Sequence, residues 1–358
     1  HPHEIVWTSG ATEANNLALR GIMRAHVRRG RHLVTGKTEH KAILDVCRSL
    51  AKEGCSITCL DPEPTGLLDL ERLAGALRPD TVLVSLTHVN NETGVAQDLA
   101  AIGTLTRERG IFLHVDAAQS AGKLPIRLDT LPVDLLSLSA HKLYGPKGVG
   151  ALFVRQHPNR VRLEPLLYGG GQERGLRAGT LPVHQIVALG EACRISGIEM
   201  ADERGRLQRL RDRLWSALAE LGGVTLNGHP ERHWPGILNV SFAGIAAEAL
   251  LAAMPDIAVS TGSACASAGD EPSHVLKAMG CDALRARGAV RFSLGRFTTA
   301  EEIDYTIAAV RAAVCRLRAL SPCWGERRAV PDAIDWAAPS PTPDDAGSTP
   351  AHPAPFAR

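Results

Sequence analysis

No run of apolar residues in this 358-residue chain approaches the roughly 18 that a membrane-spanning helix needs. Neither sign of charge is in excess: 40 Lys and Arg against 38 Asp and Glu leave a formal charge of +2. That balance lacks the basic field that a nucleic acid or an anionic membrane attracts. None of the eight cysteines forms a Cys-x-x-Cys pair, and Cys55 and Cys59, four apart, have no second pair to complete a zinc site. Most of the cysteines therefore read as reduced, small hydrophobes of a cytoplasmic protein. No signal peptide is visible, since His1-Pro-His-Glu leads straight into a strand. The nucleotide fingerprints are missing too: GPKGVG at 145–150 fits neither the P-loop nor the dinucleotide pattern.

What is present is an ordinary globular composition, 44% hydrophobic and 22% charged, long enough for two domains and a large core. From residue 4 to 140, short apolar strands alternate with amphipathic helices. This alternation predicts a largely parallel sheet covered by helices, an α/β fold. In such sheets ligands bind beyond the carboxyl ends of the strands. Residues 8–12, His40, Asn90 and Asn91, 116–119 and 139–142 all follow strands, so they are expected on one rim.

Each of these stretches has two readings. Ser9-Gly-Ala-Thr12 feeds a helix, where free backbone N–H groups make an anion site, or where Ser and Thr merely cap. His40 stands at a strand–helix junction as an acid–base candidate or a cap. Asn90 and Asn91 make a polar loop or a plain turn. Asp116, ending an apolar strand, needs a cationic partner. Lys142 lies in SLSAHKLYGPKGVG (137–150): a desolvated lysine there is a nucleophile, whereas a surface lysine would snorkel to solvent.

Past the first half, residues 168–175 (YGGGQERG) read as a mobile or ligand-approaching loop, and about 186–221 as an Arg-rich connecting helix. Residues 260–273 (STGSACASAGDEPS) read as a flexible loop carrying Cys265, an incidental thiol or a reactive one. Residues 285–297 read as a strand with two arginines, whose forks suit carboxylates. From Pro339 the tail is rich in Pro, Ala, Ser and Asp and is expected to be disordered.

Taken together, TSGATEANN, KTEHKAILD, HVNNETGV, HVDAAQSAGKLPI, SAHKLYGPKGVGAL, GGGQERGLRAGT, STGSACASAGDEPSHVL and VRFSLGRFTT carry a resemblance. The chain resembles the pyridoxal-phosphate-dependent cysteine desulfurases of iron–sulfur-cluster assembly, within the class V aminotransferase superfamily. The resemblance runs from Glu4 to about Trp336. It implies the fold type I architecture: a mostly parallel seven-stranded sheet with helices on both faces, plus a smaller α+β C-terminal domain. The expected division is 1–200 for the large cofactor domain, 201–338 for the small domain with the cysteine loop, and 339–358 for the tail. The family's N-terminal segment has no counterpart before His1, and Ala140 stands where a glycine is common.

Carried over by residue, the resemblance implies pyridoxal 5′-phosphate joined to Lys142. Asp116 would face the ring nitrogen, Gln119 the ring hydroxyl, and His40 the ring face. Ala11, Thr12, Ser139 and His141 would hold the phosphate, with Thr180 reaching across from the second subunit of a homodimer. Asn91 and Arg291 would bind the carboxylate of L-cysteine, and Cys265 would accept its sulfur. The sulfur would pass to an iron–sulfur scaffold protein and to other acceptors, including those of tRNA thiolation. Two rivals stand beside this: a selenocysteine lyase or aminotransferase, and a truncated, silent scaffold-binding protein.

Overall fold

The computed structural model describes residues 1–156, 160–261 and 272–320. The chain runs β1 (Ile5–Thr8), α1 (Ala11–Ala25), β2 (His32–Gly36), α2 (Lys41–Lys52), β3 (Ser56–Leu60), α3 (Leu70–Ala76), β4 (Thr81–Thr87), α4 (Leu99–Glu108), β5 (Phe112–Asp116), β6 (Leu135–Ser139) and β7 (Gly150–Val154). Next come α5 (Val183–Ala219), β8 (Val224–Leu226), β9 (Ile237–Phe242), α6 (Ala247–Ala252), β10 (Ser260–Thr261), α7 (His274–Ala278), α8 (Ala283–Arg287), β11 (Ala289–Ser293) and α9 (Ala300–Leu320).

The seven-stranded sheet has the order β1-β7-β6-β5-β4-β2-β3. Pairings from β6 through β3 are parallel, and β7 alone runs antiparallel to both neighbours. The expected mostly parallel α/β sheet is therefore present. Its central strands read as unbroken apolar runs because both faces are covered. One face packs under Leu17, Ile22, Ile43 and Leu50 of α1 and α2. The other packs under Leu99, Ile102 and Leu189. Asp69 and Asp98 cap α3 and α4 by accepting from two backbone N–H groups each, which fixes where those helices begin.

Three polar side chains cross the middle of this apolar sheet. Buried His114 on β5 bridges Ser85 of β4 and Ser137 of β6, both at 2.9 Å. Burial holds its imidazole neutral, down to about 3.

The second sheet, β10-β11-β9-β8, is antiparallel throughout. It packs with α6, α9 and the end of α5 around Phe242, Leu250 and Val310. Helix α5 serves both layers: Leu189 and Ala192 pack on the large sheet, and Leu207, Leu210, Leu214 and Leu218 on the small one. A division at 200/201 would fall inside this single helix. The expected strand at 285–297 needs correction, since residues 285–287 belong to α8 and only Ala289–Ser293 is extended. Its start was obscured because Asp282 caps a one-turn helix. Among the described residues no helix is long and apolar enough to cross a membrane. The expected disordered tail, 339–358, lies outside the described residues.

One backbone contact aims the fold at its rim. A Cβ on Gly150 would lie 2.6 Å from the Gly10 Cα and 2.5 Å from the Leu138 carbonyl oxygen. Only glycine lets β7 come this close to the entry of α1. Gly150→Ala is expected to cost about 1–3 kcal/mol by overpacking. A urea unfolding curve with an unchanged midpoint would contradict the contact.

Candidate active site

At the carboxyl ends of the parallel strands lies a cavity of about 620 Å³. It is lined by Ala11, Thr12, His40, Asn91, Asp116, Gln119, Ser139, His141, Lys142 and Arg291. Five strand ends of the large sheet and one strand of the small sheet thus meet where the alternation predicted a rim. Two of the site residues implied by the resemblance are not among these lining residues. Thr180 is exposed and does not line this cavity. Cys265 lies outside the described residues.

The turn after β1 delivers one wall. Gly10 precedes α1 at φ 155°, and no side chain caps the helix, so its first amides face the cavity mouth. Opposite stands the turn after β6, where Ser139 Oγ and His141 Nδ1 are 2.9 Å apart. Burial, followed by the charges of Lys142 and Lys147, keeps His141 below the usual imidazole range. Helix dipole, hydroxyl and imidazole together form a cradle for an oxyanion.

Asp116 forms the floor. Its Oδ1 accepts from Ala118 N–H at 2.9 Å and its Oδ2 from Asn15 Nδ2 at 2.7 Å. Burial pushes its carboxyl up, against the pull of those hydrogen bonds and of His40 and Lys142. The asparagine's own Oδ1 is buried without a partner. A desolvated carboxylate clamped in this way favours a cation in front of it. His40 caps α2, its Nδ1 accepting from Ala42 N–H at 3.1 Å. Both readings of His40 therefore hold at once: it is a cap and it lines the cavity. Burial pulls its imidazole down, with Asp116 opposing, so it is neutral at pH 7.

Arg291 enters from β11 and donates through Nη1 to the Asn91 carbonyl at 2.8 Å. Its buried Nε has no partner. Arg291 also lines the cavity, where a guanidinium is a place for an anionic oxygen. The second arginine of that stretch, Arg296, does not join it; it pairs with Glu199 and Glu203 of α5 at 2.8 and 3.0 Å. Among the described residues no cluster of His, Cys, Asp or Glu has the arrangement to hold a metal ion.

Sequence reasoning passed over several wall residues. Asn15 sits in a plain amphipathic helix. Glu92 hides in NNETG, accepts the Ser273 hydroxyl, and is pushed up to about 7 by burial. His274 lines the cavity and hydrogen-bonds the Glu39 carbonyl at 3.0 Å. Glu39 itself, pushed up to about 8 by burial, accepts the N–H and hydroxyl of Thr87. A glutamate beside His40 and one beside Asn91 were the available signals.

The profile of the family described as "Aminotransferase class-V" matches residues 1–306. The "Cysteine desulfurase IscS" of Aeromonas salmonicida is 57% identical over 323 residues, covering 90% of this chain and 80% of that protein. The protein of the same name from Escherichia coli O9:H4 is 56% identical over 338 residues, covering 94% and 83%. Among solved structures, a "NifS-like protein" superposes with a TM-score of 0.82 at 36% identity, covering 88% of this chain and 84% of that one. At this identity and over this length, the chain belongs to the class-V aminotransferase family, in the branch of the cysteine desulfurases.

Proposed function

We propose that the chain is a cysteine desulfurase that converts L-cysteine to L-alanine with pyridoxal 5′-phosphate and passes the sulfur on through a persulfide of Cys265. The observation that carries this is the single cavity shared by Lys142, Asp116, His40, Asn91 and Arg291. The residues present fit the cofactor. Ala11, Thr12, Ser139 and His141 would hold its phosphate in the cradle at the start of α1. Asp116 supplies the buried carboxylate that a protonated ring nitrogen satisfies. Gln119 would meet the ring hydroxyl, His40 the ring face, and Lys142 the carbonyl carbon. When bound, the cofactor supplies an electron sink for the substrate's Cα.

The protein's own groups do the rest. Arg291 and Asn91 orient the substrate carboxylate through the guanidinium fork and the side-chain amide. Lys142 Nζ moves the proton at Cα. His40, kept neutral by burial, accepts the proton of the substrate thiol. The Cys265 thiolate attacks the substrate sulfur and the Cβ–S bond breaks. Its electron pair stays with the carbon skeleton, which leaves as alanine after protonation. A free thiol has a pKa of roughly 8.5, so Cys265 needs a nearby base or positive field to be ionised at neutral pH. The acceptors of this sulfur are thiol-bearing partners, an iron–sulfur scaffold and carriers for tRNA thiolation, in a cytoplasmic setting. A homodimer is supported by Thr180, exposed away from its own cavity, and by Val183, Val187 and Ile198, all about two-thirds exposed along α5.

The purified protein is expected to show a visible absorbance band that borohydride abolishes. Lys142→Ala is expected to lose the band and to slow sulfide release by about 10²–10⁴-fold. Cys265→Ala is expected to keep the band and release no sulfide from cysteine under reductant. Full sulfide release by that variant would sink the mechanism and favour an aminotransferase.

The pH profile follows from His40. Its pKa lies below 6.5, so the neutral form persists through pH 7 and protonation removes the base on the acid side. The rate is expected to fall as pH drops, with a midpoint below 6.5, and His40→Gln is expected to erase that limb. An acid limb that survives in His40→Gln belongs to another group.

A further inference from the structure

Lys123 has no part in the chemistry above, yet it stands directly behind a residue that does. It lies in the turn that follows β5, seven residues past Asp116, where its backbone N–H returns to the Ser120 carbonyl at 3.0 Å. Its Nζ donates to Gln119 Oε1 at 3.2 Å. The indole of Trp234, 3% exposed and belonging to the segment before β9, lies with its centroid 5.9 Å from the same ammonium. The backbone N–H of Trp234 donates in turn to the Gly94 carbonyl at 2.8 Å. No carboxylate comes within ion-pair distance of Lys123 among the described residues; Lys142 and Glu203 are the charged groups that act on it at longer range.

A glutamine amide has a donor end and an acceptor end of nearly the same shape, and nothing in a cavity wall alone decides which end points inward. An ammonium decides it. Lys123 carries donors only, so only the oxygen of Gln119 can face it. The Nε2 hydrogens are then left for the cavity, which Gln119 lines. We propose that Lys123 is a positioning residue that fixes the amide of Gln119, so that the cavity presents a donor at that point and selects an ionised oxygen on the bound ring.

This rests on the reading of the cavity as a pyridoxal-phosphate site. The remaining surroundings agree with the role. Burial, and then the charge of Lys142, push Lys123 down to about 8, so it is still an ammonium at neutral pH, while the Glu203 charge opposes the shift. The indole face adds a weak attraction for the charge without offering an acceptor that competes with Gln119. An arginine at this place keeps the donors, whereas a methionine keeps the length and removes them.

The test is a double-mutant cycle on the purified holoenzyme. Lys123→Met, Lys123→Arg, Gln119→Leu and the double variant Lys123→Met/Gln119→Leu are compared by two readouts: the pH midpoint of the visible band and the dissociation constant of pyridoxal phosphate. A lost hydrogen bond to a charged group predicts about tenfold weaker cofactor binding in Lys123→Met. The midpoint is expected to rise, because an oxygen that has lost its donor is more basic. Lys123→Arg is expected to match the wild type. The double variant is expected to match Gln119→Leu alone, since Lys123 acts only through that amide.

A Lys123→Met protein with the wild-type midpoint and affinity overturns the proposal. So does a double variant whose shift exceeds that of Gln119→Leu, because the lysine then acts through the field it exerts on Lys142. If Lys123→Met does not fold, Lys123→Leu, which also lacks a donor, carries the same cycle and the same criteria. A wild-type protein with no visible band overturns the cofactor reading itself, and is thereby distinguished from a failure at Lys123.

Discussion

Asp116 ends β5 buried, with both carboxylate oxygens already engaged. Taking a carboxylate out of water costs several kcal/mol unless a cation and hydrogen bonds replace the solvent. The hydrogen bonds come from Ala118 N–H and Asn15. The charge of Lys142 acts on it as well, and a cation entering the cavity would add to that. Much of the neighbouring architecture follows from this one requirement. Helix α1 must pass close enough to give Asn15, which demands the glycine contact between Gly10 and Gly150. His40 must stay neutral beside it, and Lys142 must approach from the next strand in the sheet.

The small domain contributes Pro272, Ser273, His274 and Arg291 to the cavity wall, and the strand of Arg291 is followed by contacts that tie it to the lysine turn. Arg296, five residues on, lies over the Tyr144 ring at 4.6 Å and gives its backbone N–H to the Tyr144 hydroxyl at 2.7 Å. Tyr144 belongs to the turn that carries Lys142 and takes a left-handed φ of 62°, unusual for a large side chain. The turn that offers the lysine is thus fastened to the strand that offers the arginine. Glu92 adds a second tie, accepting the hydroxyl of Ser273 where α7 starts. Ser273 in turn accepts from the N–H groups of Val275 and Leu276, so the loop after β4 and the start of α7 share one hydrogen-bond network.

How much of this was legible in the sequence depends on distance along the chain. The rim could be read because each of its residues directly follows an apolar strand, and strand ends of a parallel sheet share an edge by geometry. Lys142, ambiguous in its own stretch, became interpretable only through Asp116, His40 and the turn after β1. Glu92 had only its place beside Asn91 to mark it, and His274 and Lys123 were not legible, because their meaning lies in partners brought together by tertiary folding. Lys123 is 111 residues from Trp234 and carries no local pattern that sets it apart from a surface lysine. The strand around Arg291 was drawn too long because α8 is a single turn, too short to show a helical period.

Helix α5 runs for 37 residues, about 55 Å at the usual rise, without a break. Near its start Gln185 holds the Lys147 carbonyl, in the loop that follows the lysine turn, at 3.1 Å. Near its middle Glu199 and Glu203 hold Arg296, and its far end is buried in the small sheet. One continuous helix therefore touches the loop behind the lysine turn, the segment after β11 and the core of the small sheet, so a single element sets the spacing of the two walls that would grip the substrate.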